Sequence, residues 1–385
     1  MARLSTILSL LGLAAMVAAR NCTELTIPID VAVLNKKFLL DEPKTDIDVT
    51  NFLLELAEQG GNKFVVDRDV EELAQYKDRY QLAATYCEPD DGNVNVLQVL
   101  THGIGFDRSY WDFPKNEHEY SYVKKAVDNF GYATLAYDRL GVGASTQGNP
   151  IAEVEHDLQV AALKALTQNL RAATVPGITR SFPKIVHVGH GFGAAQTYAL
   201  TVDNKQGELS DGIVLTGFSH NASFIPHFLL GGGFVKANSL PALVQYDDGY
   251  VAPATVGGVQ VNFFAPEAFD PEILRAAHEG VRPAAMGELL TLGGCTGTSS
   301  SFTGPVLVIT GDRDLPYCGG NCSATGAHGI RSILDTSANF MKVARPFESA
   351  VVAGAGHALA LHKSHAETTK TIHEFLTKYS LGSRY

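Results

Sequence analysis

An α/β fold is what this sequence predicts, and three observations carry the prediction. Short runs of Val, Ile and Leu recur from about residue 92 onward with amphipathic stretches between them, the pattern of parallel strands buried on both faces. Most of these runs end in a glycine-bearing turn, the place where open α/β sheets set their ligands. Of 385 residues, 45% are apolar and 18% charged, with 37 Gly and 16 Pro scattered without period, which excludes disordered, coiled-coil and collagen-like chains. A net charge of -11 without a Lys/Arg block gives a phosphate backbone or an anionic bilayer nothing to bind, so nucleic acid and membrane are not expected partners.

In chain order, Met1-Ala2-Arg3, the apolar run Leu4 to Ala19 and the polar Arg20-Asn21 read as a signal peptide over residues 1–19 with its exit at Val17-Ala18-Ala19. The run is short for a membrane span, so a soluble protein, secreted or in the secretory pathway, is expected. Export favours disulfides among the five cysteines. Cys22 is expected to pair with Cys87, and Cys318 with Cys322 or with Cys295. Cys318-Gly-Gly-Asn-Cys322 has no second CxxC and no close histidine pair, so no metal site is expected. Asn21, Asn221 and Asn321 head N-glycosylation triplets.

Residues 20–91 read as an N-terminal extension that covers the sheet edge. It holds a strand over Thr26 to Leu34, a helix from Asn51 closed by Gly60-Gly61, and a strand over Tyr80 to Tyr86. The core spans 92–220 and 301–385, with strands expected at Val94 to Thr101, Tyr132 to Tyr137, Lys184 to Val188, Gly212 to Thr216, Pro305 to Thr310 and Ser349 to Ala353. An amphipathic helix is expected within Ile151 to Arg171. Residues 221–300 interrupt the rhythm as a cap, with Gly231-Gly232-Gly233, Phe263-Phe264, and a helix opened by Asp270-Pro271-Glu272 and closed by Gly280. Ser364-His365-Ala366-Glu367 has a capping-box pattern ahead of a last helix with Ile372, Phe375, Leu376 and Tyr379 on one face.

Five turns gather the chemistry. Thr101-His102-Gly103-Ile104-Gly105 offers backbone N–H groups, that of Ile104 above all; Tyr137-Asp138-Arg139 opens a turn whose Asp-Arg pair is expected to tie loops together. Val188-Gly189-His190-Gly191-Phe192-Gly193 joins a strand directly to a helix, Gly311-Asp312-Arg313-Asp314 follows another strand, and Gly354-Ala355-Gly356-His357 follows the last. In this order and spacing the turns resemble the α/β-hydrolase fold over roughly residues 92–380, and the exported extension resembles that of secreted fungal members.

The resemblance implies an acid at Asp314, preferred over Asp312 by the G-x-x-D spacing, a base at His357, and oxyanion donors at the N–H groups of Ile104 and Phe192. Asp107, Tyr110, Trp111 and His190 are candidate substrate contacts or braces. One departure governs the function: where the family's G-x-S-x-G turn carries the nucleophilic serine, this chain has Gly191. Ser219 follows a core strand too, but a long insertion comes after it instead of a tight helix. A histidine-aspartate base with two backbone donors still serves chemistry without a covalent intermediate. The expectation is an enzyme, without cofactor, acting on a small apolar carbonyl compound (an ester, lactone or polyketide-like intermediate) in fungal secondary metabolism. The alternatives are a serine carboxylesterase or lipase whose nucleophile at 191 has been replaced, and a non-catalytic ligand-binding protein with the same capped pocket.

Overall fold

The structure is a computed structural model in which residues 20–59, 63–202, 204, 207–294 and 296–383 are described. The expected signal peptide, the Gly60-Gly61 helix stop and Cys295 lie outside the described residues. Strands β1 (Arg20–Phe38) and β2 (Asp69–Pro89) flank helices α1 (Asp46–Leu56) and α2 (Lys63–Arg68). Then follow β3 (Val96–Thr101), α3 (Tyr122–Asp128), β4 (Ala133–Tyr137), α4 (His156–Arg171), β5 (Lys184–His190), α5 (Phe192–Val202) and β6 (Gly212–Thr216). The cap contributes α6 (Ile225–Gly231), β7 (Phe234–Lys236), β8 (Tyr250–Pro253), α7 (Val256–Phe263), α8 (Pro271–Glu279), β9 (Ala284–Ala285) and α9 (Met286–Leu290). The chain returns to the core with β10 (Val306–Gly311), α10 (Leu315–Cys318), β11 (Phe347–Val352) and α11 (His365–Lys378).

Eight strands form one sheet in the order β1-β2-β4-β3-β5-β6-β10-β11. From β4 to β11 every neighbouring pair is parallel. Helices cover both faces, so β3, β4, β6 and β10 are buried at every residue, which is why they read as mostly apolar runs without polar alternation. The extension does more than cover an edge. β1 and β2 pair antiparallel from Arg20 opposite Pro89 to Lys36 opposite Leu73, and β2 pairs antiparallel with β4, so the hairpin adds two strands to the sheet. Cys22 stands opposite Cys87 in that register, and the two are joined by a disulfide; a second bridge joins Cys318 to Cys322.

One sequence-based helix boundary moves and one expected cap does not form. The first helix starts at Asp46, five residues ahead of the expected Asn51, because Thr45 and Asp48 close a capping box around its first turn. At α11 the expected capping box does not form: Ser364 makes no side-chain cap bond, and its hydroxyl donates instead to the Gly354 carbonyl at 3.3 Å. The cap holds a second sheet, β7-β8-β9, whose strands of three, four and two residues are too short to leave a periodic signal. No helix among the described residues is long and apolar enough to cross a membrane.

Candidate functional site

The site is built on the turn between β5 and α5. Gly191 sits there at φ +55°, a conformation that costs glycine nothing and strains other residues. Its N–H donates to the Thr216 carbonyl at 2.9 Å, and its own carbonyl accepts from Ala194 and Ala195 in the first turn of α5. The flanking glycines allow the strand and helix to close up. A Cβ on Gly189 would stand 2.4 Å from the Gly193 carbonyl oxygen, and one on Gly193 would stand 2.4 Å from that of Thr101. A Cβ on Gly191 meets something different: it would point at His357, 2.9 Å from Nε2.

His357 follows β11 and is 5% exposed; Asp314, at the end of β10, is fully buried. Their link is a 2.9 Å hydrogen bond between Nδ1 and Oδ2. In the neutral ring that donates this bond from Nδ1, the lone pair lies on Nε2. Asp314 is itself held: its carboxylate caps α10 through the Tyr317 N–H at 2.9 Å and accepts the Thr310 hydroxyl at 2.5 Å. Asp312 has another task, accepting from the Ala355 N–H at 3.3 Å and so bracing the turn that carries His357.

Two backbone N–H groups lie at this turn cluster. Phe192 is the first residue of α5, where N–H groups have no intrahelical acceptor. Ile104 makes no backbone hydrogen bond through its N–H among the described residues. Ile104, Phe192 and His357 line a cavity of about 30 Å³, together with Phe228 and Phe263 of the cap and Tyr317. Its walls are otherwise apolar.

His190, Tyr110 and Trp111 stand behind this cavity and do not line it. The His190 ring is fully buried, stacks on Tyr110 at 4.3 Å and lies 4.8 Å from the His357 ring. Burial, helped by the neighbouring His357, holds it well below the ordinary histidine range, so it is a neutral brace. Trp111 packs edge-on against Tyr110 and Tyr122. Asp107 faces elsewhere: it caps a short turn through Ser109 and pairs with Arg282 at 2.6 Å. Burial opposes its charge, but Arg282 and the Ser109 donors outweigh burial and hold its carboxyl below the usual range. It lines a separate, charged cavity of about 570 Å³ with Arg108, Asp138 and Tyr246, which shares no wall with His357. Ser219 is tied into its loop, donating to the Tyr317 carbonyl and accepting from the Asn221 N–H. Of the glycosylation triplets, Asn21 and Asn321 are exposed and Asn221 is half-buried.

Sequence reasoning missed His362 and the partner of Arg139. His362 accepts the N–H groups of Ala265, from the cap, and Gly356, from the His357 turn, both through Nε2 at 2.9 and 3.0 Å. Burial lowers it to about 4, keeping that acceptor free of a proton at neutral pH. Arg139 and Glu288, both fully buried, form an ion pair between the end of β4 and α9 of the cap. Neither had a local signal, since each partner lies about 100 residues or more from its counterpart in the other layer. No group of three or more metal-ligating side chains occurs among the described residues.

The model of the alpha/beta hydrolase family matches residues 98–370. No curated protein matches the chain. Among solved structures, a thermophilic esterase from Thermogutta terrifontis aligns over 78% of this chain and 94% of its own, with a TM-score of 0.55 and 16% identity. An esterase from Exiguobacterium antarcticum aligns over 77% and 96%, at 0.51 and 13%. A bromoperoxidase from Bacillus anthracis aligns over 78% and 96%, at 0.50 and 15%. At such identities the likeness is one of fold.

Proposed function

The chain belongs to the alpha/beta hydrolase family, and from that premise we propose that it is an enzyme of base catalysis on a neutral carbonyl compound, without a nucleophile of its own. One observation carries the reading. His357, oriented by Asp314, aims Nε2 at the position where residue 191 would hold a side chain, and Gly191 has none. A base so placed acts on the substrate directly.

The reading that fits the apolar walls is removal of a proton from the carbon next to the carbonyl. Nε2 takes that proton, the C–H electron pair becomes the enolate double bond, and the negative charge moves to the carbonyl oxygen. The N–H groups of Ile104 and Phe192 stabilise that oxygen, and Asp314 stabilises the imidazolium. The enolate then attacks a second carbonyl or expels a leaving group, and the imidazolium returns its proton to the product. Tyr110, Trp111 and His190 enter as braces of this arrangement; Asp107, on the separate cavity, does not.

A second reading is direct hydrolysis, favoured by the size of the cavity at His357, about 30 Å³, where a water molecule needs about 10–15 Å³. His357 then takes a proton from water, the hydroxide oxygen bonds to the carbonyl carbon, and the ester C–O bond breaks as the proton passes to the leaving alkoxide. The proposal extends to a secreted, glycosylated protein of fungal secondary metabolism, the setting the resemblance implies. Two disulfides are compatible with export.

Both readings forbid a covalent enzyme intermediate. Incubation with a fluorophosphonate, followed by intact-protein mass measurement, should leave the mass unchanged. Turnover of p-nitrophenyl butyrate, if present, should persist after that treatment and disappear in His357→Ala. A stoichiometric phosphonyl adduct would mean that a nucleophile exists elsewhere in the chain, and the reading would fall.

A further inference from the structure

A second cavity, of about 220 Å³, adjoins the one at His357: Ile225, Leu292 and Tyr317 are walls of both. Leu229, Leu289 and Leu290 of the cap line it further. Two of its wall residues lie outside the residues that the family model matches and are not shared with the cavity at His357: Leu56 at the end of α1 and Val65 of α2. No Asp, Glu, Lys or Arg stands on its wall among the described residues.

The extension is anchored where it meets the cap. Val49, Phe52 and Leu53 of α1 are buried, and Phe52 packs edge-on against Phe64 of α2 at 5.8 Å. Asp46, in the first turn of α1, accepts the N–H of Lys236 in β7 at 3.0 Å, and the Lys236 ammonium reaches the Lys44 carbonyl and Asp248. These contacts hold the start of α1 against the cap, and the Phe52–Phe64 contact joins α1 to α2.

We propose that the N-terminal extension measures the substrate: α1 and α2 close the end of an apolar cavity that opens onto His357, and the substrate carries a neutral apolar arm whose length Leu56 and Val65 limit. This rests on the reading of His357 as the base that faces the carbonyl. A cavity of about 150 Å³ takes benzene, so by proportion this one takes an arm of roughly eight to ten non-hydrogen atoms. A charged arm would lose its hydration with no counter-ion on the wall. His220, the titratable group of a histidine on that wall, is held by burial down to about 4 and is neutral.

Methyl ketones of increasing length are probes that need no turnover. Their dissociation constants, measured by calorimetry on the whole chain, should fall about fourfold per methylene until the arm is filled, and then stop falling. In Leu56→Trp and Val65→Trp that limit should come about two carbons earlier, with 2-pentanone bound as before; in Leu56→Ala it should come later. A ketone of the filling length ending in a carboxylate should bind at least tenfold more weakly. A limit that stays put in all three folded variants would overturn the proposal, and so would equal binding of the carboxylate. His357→Ala separates the two readings: an unchanged limit there, alongside failed chemistry in the unmodified chain, would retire the base reading and keep the wall.

Discussion

The turns of the core and the walls of the cap meet at one cavity, yet they are made of opposite materials. On the core side the acting side chains are held by directed hydrogen bonds: Asp314 by Tyr317 and Thr310, His357 by Asp314, and the Gly191 backbone by Thr216 and Ala194. On the cap and extension side the contacts are side-chain hydrocarbon, from Phe228 and Phe263 to Leu289 and Leu56. The difference separates two tasks. Groups that must act on a proton need fixed direction, which backbone and carboxylate bonds supply; a wall that only excludes water and limits length needs volume alone.

Mutations on the two sides should therefore fail in different ways. The largest effect belongs to the core: His357→Ala or Asp314→Asn should lower kcat by about 10² to 10⁴ with little change in binding, read by steady-state kinetics on any accepted carbonyl substrate. Equal losses in KM would break the separation.

Next comes the seam between the two sides. The buried Arg139–Glu288 pair joins β4 to α9, and Glu288→Gln, which leaves a buried guanidinium without its counter-charge, should cost about 3–5 kcal/mol in urea unfolding. An Arg139→Met, Glu288→Leu double variant should recover much of that loss. His362→Ala strands the N–H groups of Ala265 and Gly356 and should cost about 1–3 kcal/mol, with kcat reduced more than KM.

A further effect is pH-dependent and lies where the hairpin meets α4. Glu155 is buried, and burial pushes its carboxyl up to about 8. A folded value above the unfolded one means that the protonated form is favoured in the fold, so stability declines as pH rises from about 4.5 toward 8. Glu155→Gln removes that decline and still accepts from the Lys36 N–H. The variant should match the parent near pH 4.5 and exceed it at pH 8, by no more than about 1.4 kcal/mol per pH unit, in urea titrations at both pH values.

The same contrast governs what the sequence made legible. Fold class, the buried strands and the five turns could be read because turn chemistry and apolar runs are local: Gly191 needs its backbone shape and Asp314 its cap within a few residues. The register from Arg20 to Lys36, the cap sheet β7-β9 and the roles of His362 and Leu56 depend on partners far along the chain, and periodicity carries no trace of them. Tyr110 and Trp111 show the converse. Their place beyond His102 suggested a part in the site, but only the packing reveals that they stand behind His190.

The most direct test follows the proton. In D2O, the chain should exchange the hydrogens next to the carbonyl of 2-octanone for deuterium, seen by loss of their proton resonances, and His357→Ala should lose about 10²-fold or more of that rate. Exchange no faster than in buffer, or as fast in His357→Ala as in the parent, would contradict a base that works directly on the substrate's carbon.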